Sequence, residues 1–342
     1  MRHRIPPGTA HRVVAPVRTD PDGVGGPTRR QASGPEWRRS SHGLYVPSDV
    51  ELTPAQRVLE AGYLVPRCGA VTGWGSLHWQ GATWFTGTRA DGTLVDVDIA
   101  VPAHRIRTQA GFHMTGDRFD PAEAVSLDGI WVAWPVPAAF FAMRYAPSVT
   151  EAALVLAMAA FDDLVSVEEM TAHALDHPAY TGVPRCRDAL PRAVENCWSP
   201  QEFRMLTWWE DAGFPSPLAN RPVFDLAGRH IGTPDLIDPV AGVIGQYDGG
   251  VHLVGDAPRA DAVRDAAFEH HGLEQVTARA GDLGGRFVSD LRSAYARAAA
   301  RPQSDRTWTT ELPGWWVPTF TVEQRRALSA ADRERWLGYR AA

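Results

Sequence analysis

Two apolar runs, RHIGTPDLID (229–238) and VAGVIGQYDG (240–249), stand on either side of a single short turn near Pro239. Nothing that short can cross over to make a parallel pair, so the two runs must form an antiparallel hairpin. Residues equidistant from the turn then lie opposite one another, which sets Asp235 across from residue 245 or 246. Side chains alternate along a strand, so Gln246 and Asp248 share a face that Ile244 continues inward. Asp235, Gln246 and Asp248 therefore converge at one end of a sheet, with His252 just beyond the double glycine Gly249-Gly250.

The flanking sequence supplies the layers such a hairpin needs. Ser199-Pro200-Gln201-Glu202 opens a helix with Ser at the N-cap, Pro at the first helical position and Glu placed for a capping box, and Gly213 ends it. RPVFDLAG adds a strand before the hairpin. A helix follows over about 257–271 and stops at Gly272, then a strand, LEQVTA. A last helix, 285–300, carries Phe287, Leu291, Ala294, Tyr295 and Ala298 on one stripe. The predicted order is α-β-β-β-α-β-α over 185–300. Residues 301–342 read as a C-terminal extension holding WTTELPGWWVP and a helix near 322–337.

A chain of 342 residues exceeds the ~250–300 at which single cores stop growing, so a second domain is expected upstream. Residues 1–35 are rich in Pro, Gly and Arg without periodicity and read as a disordered tail. Residues 1–47 carry eight arginines against Asp20, Asp22 and Glu36 on a chain whose net charge is -6, a basic arm compatible with nucleic acid. From 36 to 178 the pattern is mixed α/β. EWRRSSHGLYVP forms a strand pair turning at His42-Gly43, and 53–65 is a helix with Pro54 at its first position. A second short helical or turn segment follows in AVTGWGSLHWQGA, strands occupy the stretch from Val95 to Trp134, and helices cover 149–161 and 167–175. Pro178 to Pro184 reads as a linker. The longest apolar run, Ala152 to Phe161, is too short to span a membrane and reads as a core helix; with no apolar stretch behind the arginine-bearing N-terminus, a cytoplasmic protein is expected.

Several chemistries are disfavoured. All 34 basic residues are arginine, which removes Schiff-base, P-loop and other lysine mechanisms. Cys68, Cys186 and Cys197 form no C-x-x-C and suggest neither disulfides nor a zinc knuckle. The histidines were expected to hold no metal pair at helical spacing, and a zinc enzyme was not anticipated. What remains is oxygen chemistry. Asp235, Asp248 and Gln246 suit a hard cation such as Mg²⁺ or Mn²⁺, with Glu202 as a further carboxylate and His252 as a base or phosphate contact. Each residue also has a plainer role, in a cap, a turn or a solvated edge.

SPQEFRMLTWWEDAGFPSP, GTPDLIDPVAGVIGQYDGGVH and RDAAFEHHGLEQVTARAGDL together resemble an actinobacterial domain-of-unknown-function family related to very-short-patch-repair endonucleases, within the PD-(D/E)-x-K superfamily. The resemblance covers roughly 196–300 and implies a restriction-endonuclease-like fold with Mg²⁺-dependent phosphodiester hydrolysis of DNA. It matches Glu202 to the helix carboxylate, Asp235 to the metal aspartate, Gln246 to the glutamate of the E-x-K position, Asp248 to the lysine position and His252 to the trailing histidine. Gln246 departs from the family pattern by one full negative charge. Upstream, WRRSSHGLYVP and GAVTGWGSLHWQGA are similar to the wing strand and following stretch of AbiEi-type antitoxins, which implies DNA and a toxin protein as partners. The prolines before Trp37 leave no room for the helices of a winged helix, so that element is degenerate. The alternative function is a non-catalytic, antitoxin-like or regulatory binding protein.

Overall fold

The computed structural model describes residues 13–66, 68–101, 107–249 and 257–338. The chain divides between Arg192 and Ala193 into two compact units, each mixing helices and sheets.

In the first unit the chain runs α1 (Arg29–Ala32), β1 (Trp37–Ser41), β2 (Leu44–Pro47), α2 (Pro54–Gly62), β3 (Ala70–Val71), α3 (Gly73–Trp79), β4 (Val97–Ala100) and β5 (Phe112–Thr115). A 3-10 turn, Pro121–Glu123, leads into β6 (Ala124–Leu127), β7 (Ile130–Ala133), α4 (Pro135–Tyr145), α5 (Val149–Phe161), α6 (Val167–Asp176) and α7 (Val183–Ala189). The hairpin β1-β2 turns at His42-Gly43 as expected, with Ser41 paired to Leu44. Strands β5-β4-β3-β7-β6 make a second, mixed sheet. Helix α2 lies against β7 so closely that a Cβ on Gly62 would stand 2.6 Å from the Cβ of Ile130.

Three expectations for this unit are corrected. Residues 13–35 were read as disordered, yet Val17 bridges Tyr45 through two backbone hydrogen bonds, and Thr28 caps the single turn of α1 with a capping box. Pairing with an existing strand satisfies a backbone that has no periodicity of its own. The supposed linker at 178–184 runs into α7, with Pro184 in its first turn, where the missing N–H costs nothing. Helix α4 opens on Pro135-Val136-Pro137 and was hidden for the same reason: prolines that read as punctuation after a strand serve as a helix start. Among the described residues before β1, only α1 is helical, and they contain no helix-turn-helix.

The second unit contains α8 (Pro200–Asp211), β8 (Leu218–Ala219), β9 (Val223–Asp225), β10 (His230–Gly232), β11 (Leu236–Asp238), β12 (Val243–Asp248), α9 (Ala257–His270), β13 (Glu274–Arg279), α10 (Gly285–Ala299), β14 (Trp308–Thr309), α11 (Val322–Arg326) and α12 (Ala330–Trp336). Its principal sheet has the order β13-β12-β11-β8, antiparallel except for the parallel pair β12-β13. The hairpin forms with Leu236 opposite Gly245 and Ile237 opposite Ile244; one step further in this register puts Asp235 opposite Gln246. Asp238 builds the turn, its Oδ1 accepting from the N–H groups of Val240 and Ala241 and its Oδ2 from the Tyr295 hydroxyl.

The expected strand 229–238 is two strands. Thr233-Pro234 interrupts it because proline cannot donate to a ladder. Its first half, β10, joins a separate sheet of order β10-β9-β14. One face of the principal sheet packs on α8 and α10 through Met205, Trp209, Leu236, Val243, Phe287 and Leu291. The other packs Ile237 and Ile244 against Phe268, Leu273 and Trp308. Gly245 permits the first layer, since a Cβ there would sit 3.2 Å from the Trp209 ring. Residues 301–338 are thus integral to this unit, and the single helix expected at 322–337 is broken into α11 and α12 where Ser329 caps a new start.

Candidate functional site

Helix α8 begins beside the entry to β11 and the far end of β12, and the sequence there sets carboxylates in a buried corner. Ser199 caps the helix by accepting from the Glu202 N–H at 3.2 Å. The Glu202 side chain does not close the expected reciprocal capping box. It reaches one residue further back, accepting from the Trp198 N–H at 2.9 Å and from the Ser199 hydroxyl at 2.9 Å. Its Oε2 also accepts from the Asn220 amide at 2.8 Å. Asn220 adopts a left-handed φ of 46°, donates to the Asn196 carbonyl, and through its own N–H binds the Asp235 carbonyl. Asn196 in turn donates to the carbonyls of Ala219 and Asn220. A buried polar network therefore joins the start of α8 to the end of β8 and the entry to β11, and such a network fixes geometry because each missing partner would be costly.

Burial and the neighbouring negative charge of Asp235 push the Glu202 carboxyl up to about 7, against the three hydrogen bonds it accepts. Two carboxylates close in a low-dielectric corner resist joint ionisation. Asp235 is oriented by the backbone N–H of Tyr247, which donates to its Oδ2 at 2.6 Å. The structure thus brings Glu202 and Asp235 together and ties Asp235 to the strand that carries Gln246 and Asp248.

Gln246 is buried, and its amide is engaged by α9. Its Oε1 accepts from the Arg264 guanidinium at 2.9 Å, and its Nε2 lies 3.4 Å from Asp265. A guanidinium thus occupies the oxygen that the sequence assigned to a metal ion. Asp248 is exposed at the end of β12, beside Arg279 on β13. His252 lies outside the described residues. As donors for a cation, Glu202 and Asp235 fit, since a positive ion would relieve their mutual repulsion; Gln246, held by Arg264, does not fit.

Asn196, Asn220, Arg264 and Asp265 were not anticipated. Asn220, immediately before Arg221-Pro222, carries the signal of a residue tolerant of positive φ; the others are polar residues whose partners only the tertiary structure brings near. A second group of donors, Glu123, His173 and His177, lies in the first unit, with ligand atoms all within 4.8 Å of one another. This corrects the expectation that no histidine pair has helical spacing: His173 and His177 are four apart at the end of α6. Among the described residues no helix is long and apolar enough to cross a membrane. No family model, curated protein or solved structure matches this chain.

Proposed function

We propose that the second unit is a nuclease-like domain that binds Mg²⁺ or Mn²⁺ at Asp235 and Glu202 and acts on the phosphodiester backbone of DNA. The observation that carries this reading is the buried juxtaposition of Glu202 with Asp235, each held by a rigid polar network, where burial and the neighbouring charge raise the Glu202 carboxyl, a combination that makes the pair a candidate functional site. A four-stranded sheet with one parallel pair, flanked by helices on both faces, supports it as the restriction-endonuclease-like arrangement implied by the sequence resemblance. When bound, the metal would supply charge neutralisation and an acidified water. Glu202 keeps its orientation through Ser199, Trp198 and Asn220, while Asp235 is oriented by the Tyr247 N–H. Asp248, exposed at the strand end, is placed to meet solvent-side groups of a substrate.

A second reading rests on Gln246. With its oxygen bonded to Arg264, the position offers no third anionic ligand, which favours a domain retaining the fold for DNA or protein binding, antitoxin-like, without turnover. Supercoiled-plasmid cleavage separates the two. Nicking that requires both Mn²⁺ and Asp235 is the expected result. Wild-type protein that binds DNA without nicking, equally with and without metal and equally as Asp235→Ala, would establish the second reading and overturn the first.

A further inference from the structure

The first unit carries a cluster that this reading does not use. Glu123 ends the 3-10 turn before β6, and its backbone is held by hydrogen bonds on both sides, its N–H donating to Asp120 and its carbonyl accepting from Trp134. Its Oε1 faces two imidazole nitrogens at nearly equal distance, Nδ1 of His173 at 3.9 Å and Nε2 of His177 at 4.0 Å. These separations are too long for hydrogen bonds. They exceed by only about 0.5 Å the roughly 3.4 Å between ligands that bonds of about 2.0–2.1 Å impose around a tetrahedral ion. Small side-chain rotations close the difference.

A hydrogen bond and ring packing orient the two histidines. His177 sets its Nδ1 2.8 Å from the carbonyl of His173. A carbonyl can only accept, so Nδ1 carries a proton and the ring is oriented with Nε2 toward Glu123, the kind of hydrogen bond that orients metal-binding histidines generally. His173 packs edge-on against Phe140 at 4.7 Å, and the rings of His173 and His177 lie 4.1 Å apart. Burial first, then the neighbouring His177, lowers the His173 imidazole to about 4. Burial raises Glu123. Of the surrounding charges, Arg144 is already paired with Asp117 and with the Thr181 carbonyl, and Asp176 adds a negative field at His173. All three side chains are partly buried, with Glu123 and His177 each 23% exposed, which keeps one side of the cluster open.

We infer that Glu123, His173 and His177 form a site for one borderline divalent ion of the Zn²⁺ type, bound through two nitrogens and one carboxylate with a coordination position left open to solvent. Two imidazoles and a carboxylate select this class over Mg²⁺ or Ca²⁺, which prefer all-oxygen shells. The site is independent of the Glu202–Asp235 corner in the other unit.

The full chain, stripped with chelator, is titrated with Co²⁺ as a visible-absorbing substitute and then with Zn²⁺. The expected result is one Co²⁺ with the intense absorption of a four- or five-coordinate ion, displaced by Zn²⁺ and separate from any weakly absorbing octahedral Co²⁺ held by an all-oxygen shell. Glu123→Gln, His173→Ala and His177→Ala each should weaken the binding that gives this absorption at least tenfold. Should His173→Ala fail to fold because of its contact with Phe140, the partly exposed Glu123 still decides the matter. Absence of the intense Co²⁺ absorption in wild type, or absorption equal in wild type and folded Glu123→Gln, would overturn the assignment.

Discussion

Replacing Glu202 by Gln isolates the one charge that the second unit holds at a cost. The substitution preserves the hydrogen bonds. With the amide oxygen in the place of Oε2 it still accepts from the Trp198 N–H and from Asn220, and with nitrogen in the place of Oε1 it donates to the Ser199 hydroxyl. What changes is titration. The folded carboxyl protonates near 7 rather than the ordinary 4.5, so between those values the native state binds more protons than the unfolded chain, and stability falls as pH rises. The stabilising protonation is complete below about 4.5 and lost once pH passes about 7. At 1.36 kcal/mol per pH unit the loss is about 3 kcal/mol, an upper figure because the buried pair shares its charge. Glu202→Gln has no such slope. Calorimetric unfolding of the full chain at pH 5 and pH 8 should show little difference between variant and wild type at the lower pH. At the higher pH the variant's second unit should be more stable by about 2–3 kcal/mol, several degrees in Tm. Millimolar Mn²⁺ at pH 8 should raise wild type and leave the variant where it was. A variant no more stable than wild type at pH 8, or a gain that ignores pH, would refute the claim that this carboxylate is held against its preference.

Four further outcomes follow from particular contacts. Gln246→Glu alone should raise Mn²⁺ affinity only weakly, because the new carboxylate pairs with Arg264; adding Arg264→Gln should release it, with both steps read by isothermal titration. Gly62→Ala should destabilise the first unit by about 1–3 kcal/mol through overlap with Ile130, and Ile130→Ala in the same chain should recover part of that loss in denaturant unfolding. Asn220→Ala should cost about 2–4 kcal/mol, combining a left-handed backbone with lost bonds to Asn196 and Glu202, with Asn220→Gly recovering the backbone share alone. Asp117→Ala should cost about 3–5 kcal/mol in the same assay, since it strands the buried Arg144 guanidinium.

The hairpin and its flanking helices were legible because period, turn and caps agreed: Ser199 caps α8, Gly213 follows it, and the apolar stripe of α10 faces the core as the spacing required. The register that brings Asp235 to Gln246 followed from the turn alone. What sequence could not disclose was which neighbour each polar group finds. Gln246 looked like a weakened metal ligand from its position on the strand, yet α9, elsewhere in the chain, sets Arg264 on its oxygen. The reach of Glu202 past its own cap to Asn220 depends on the end of β8. His173 and His177 stand four apart, a spacing that the sequence reading of the histidines passed over, and Glu123, although Asp120-Pro121 marks its turn, is brought to them only by the tertiary structure. Prolines misled twice, at α4 and α7, since the same residue that breaks a helix interior also begins one.

The pairing of β14 with β9 has a consequence for how the second unit comes into being. Trp308 lies beside Asp225 and Thr309 beside Phe224, joining segments separated by more than half the length of that unit. During synthesis the principal sheet has all its strands once β13 and α10 have left the ribosome, while β9 still shows an open ladder edge. Only the arrival of Trp308 covers it and lays an indole over Ile244 and Phe268. A chain stopped before that point would expose both an unpaired strand and an apolar surface, the combination that invites strand addition from other molecules. The final segment therefore acts as a closing latch, and a protein truncated at residue 300 is expected to accumulate as aggregate rather than as a smaller active domain.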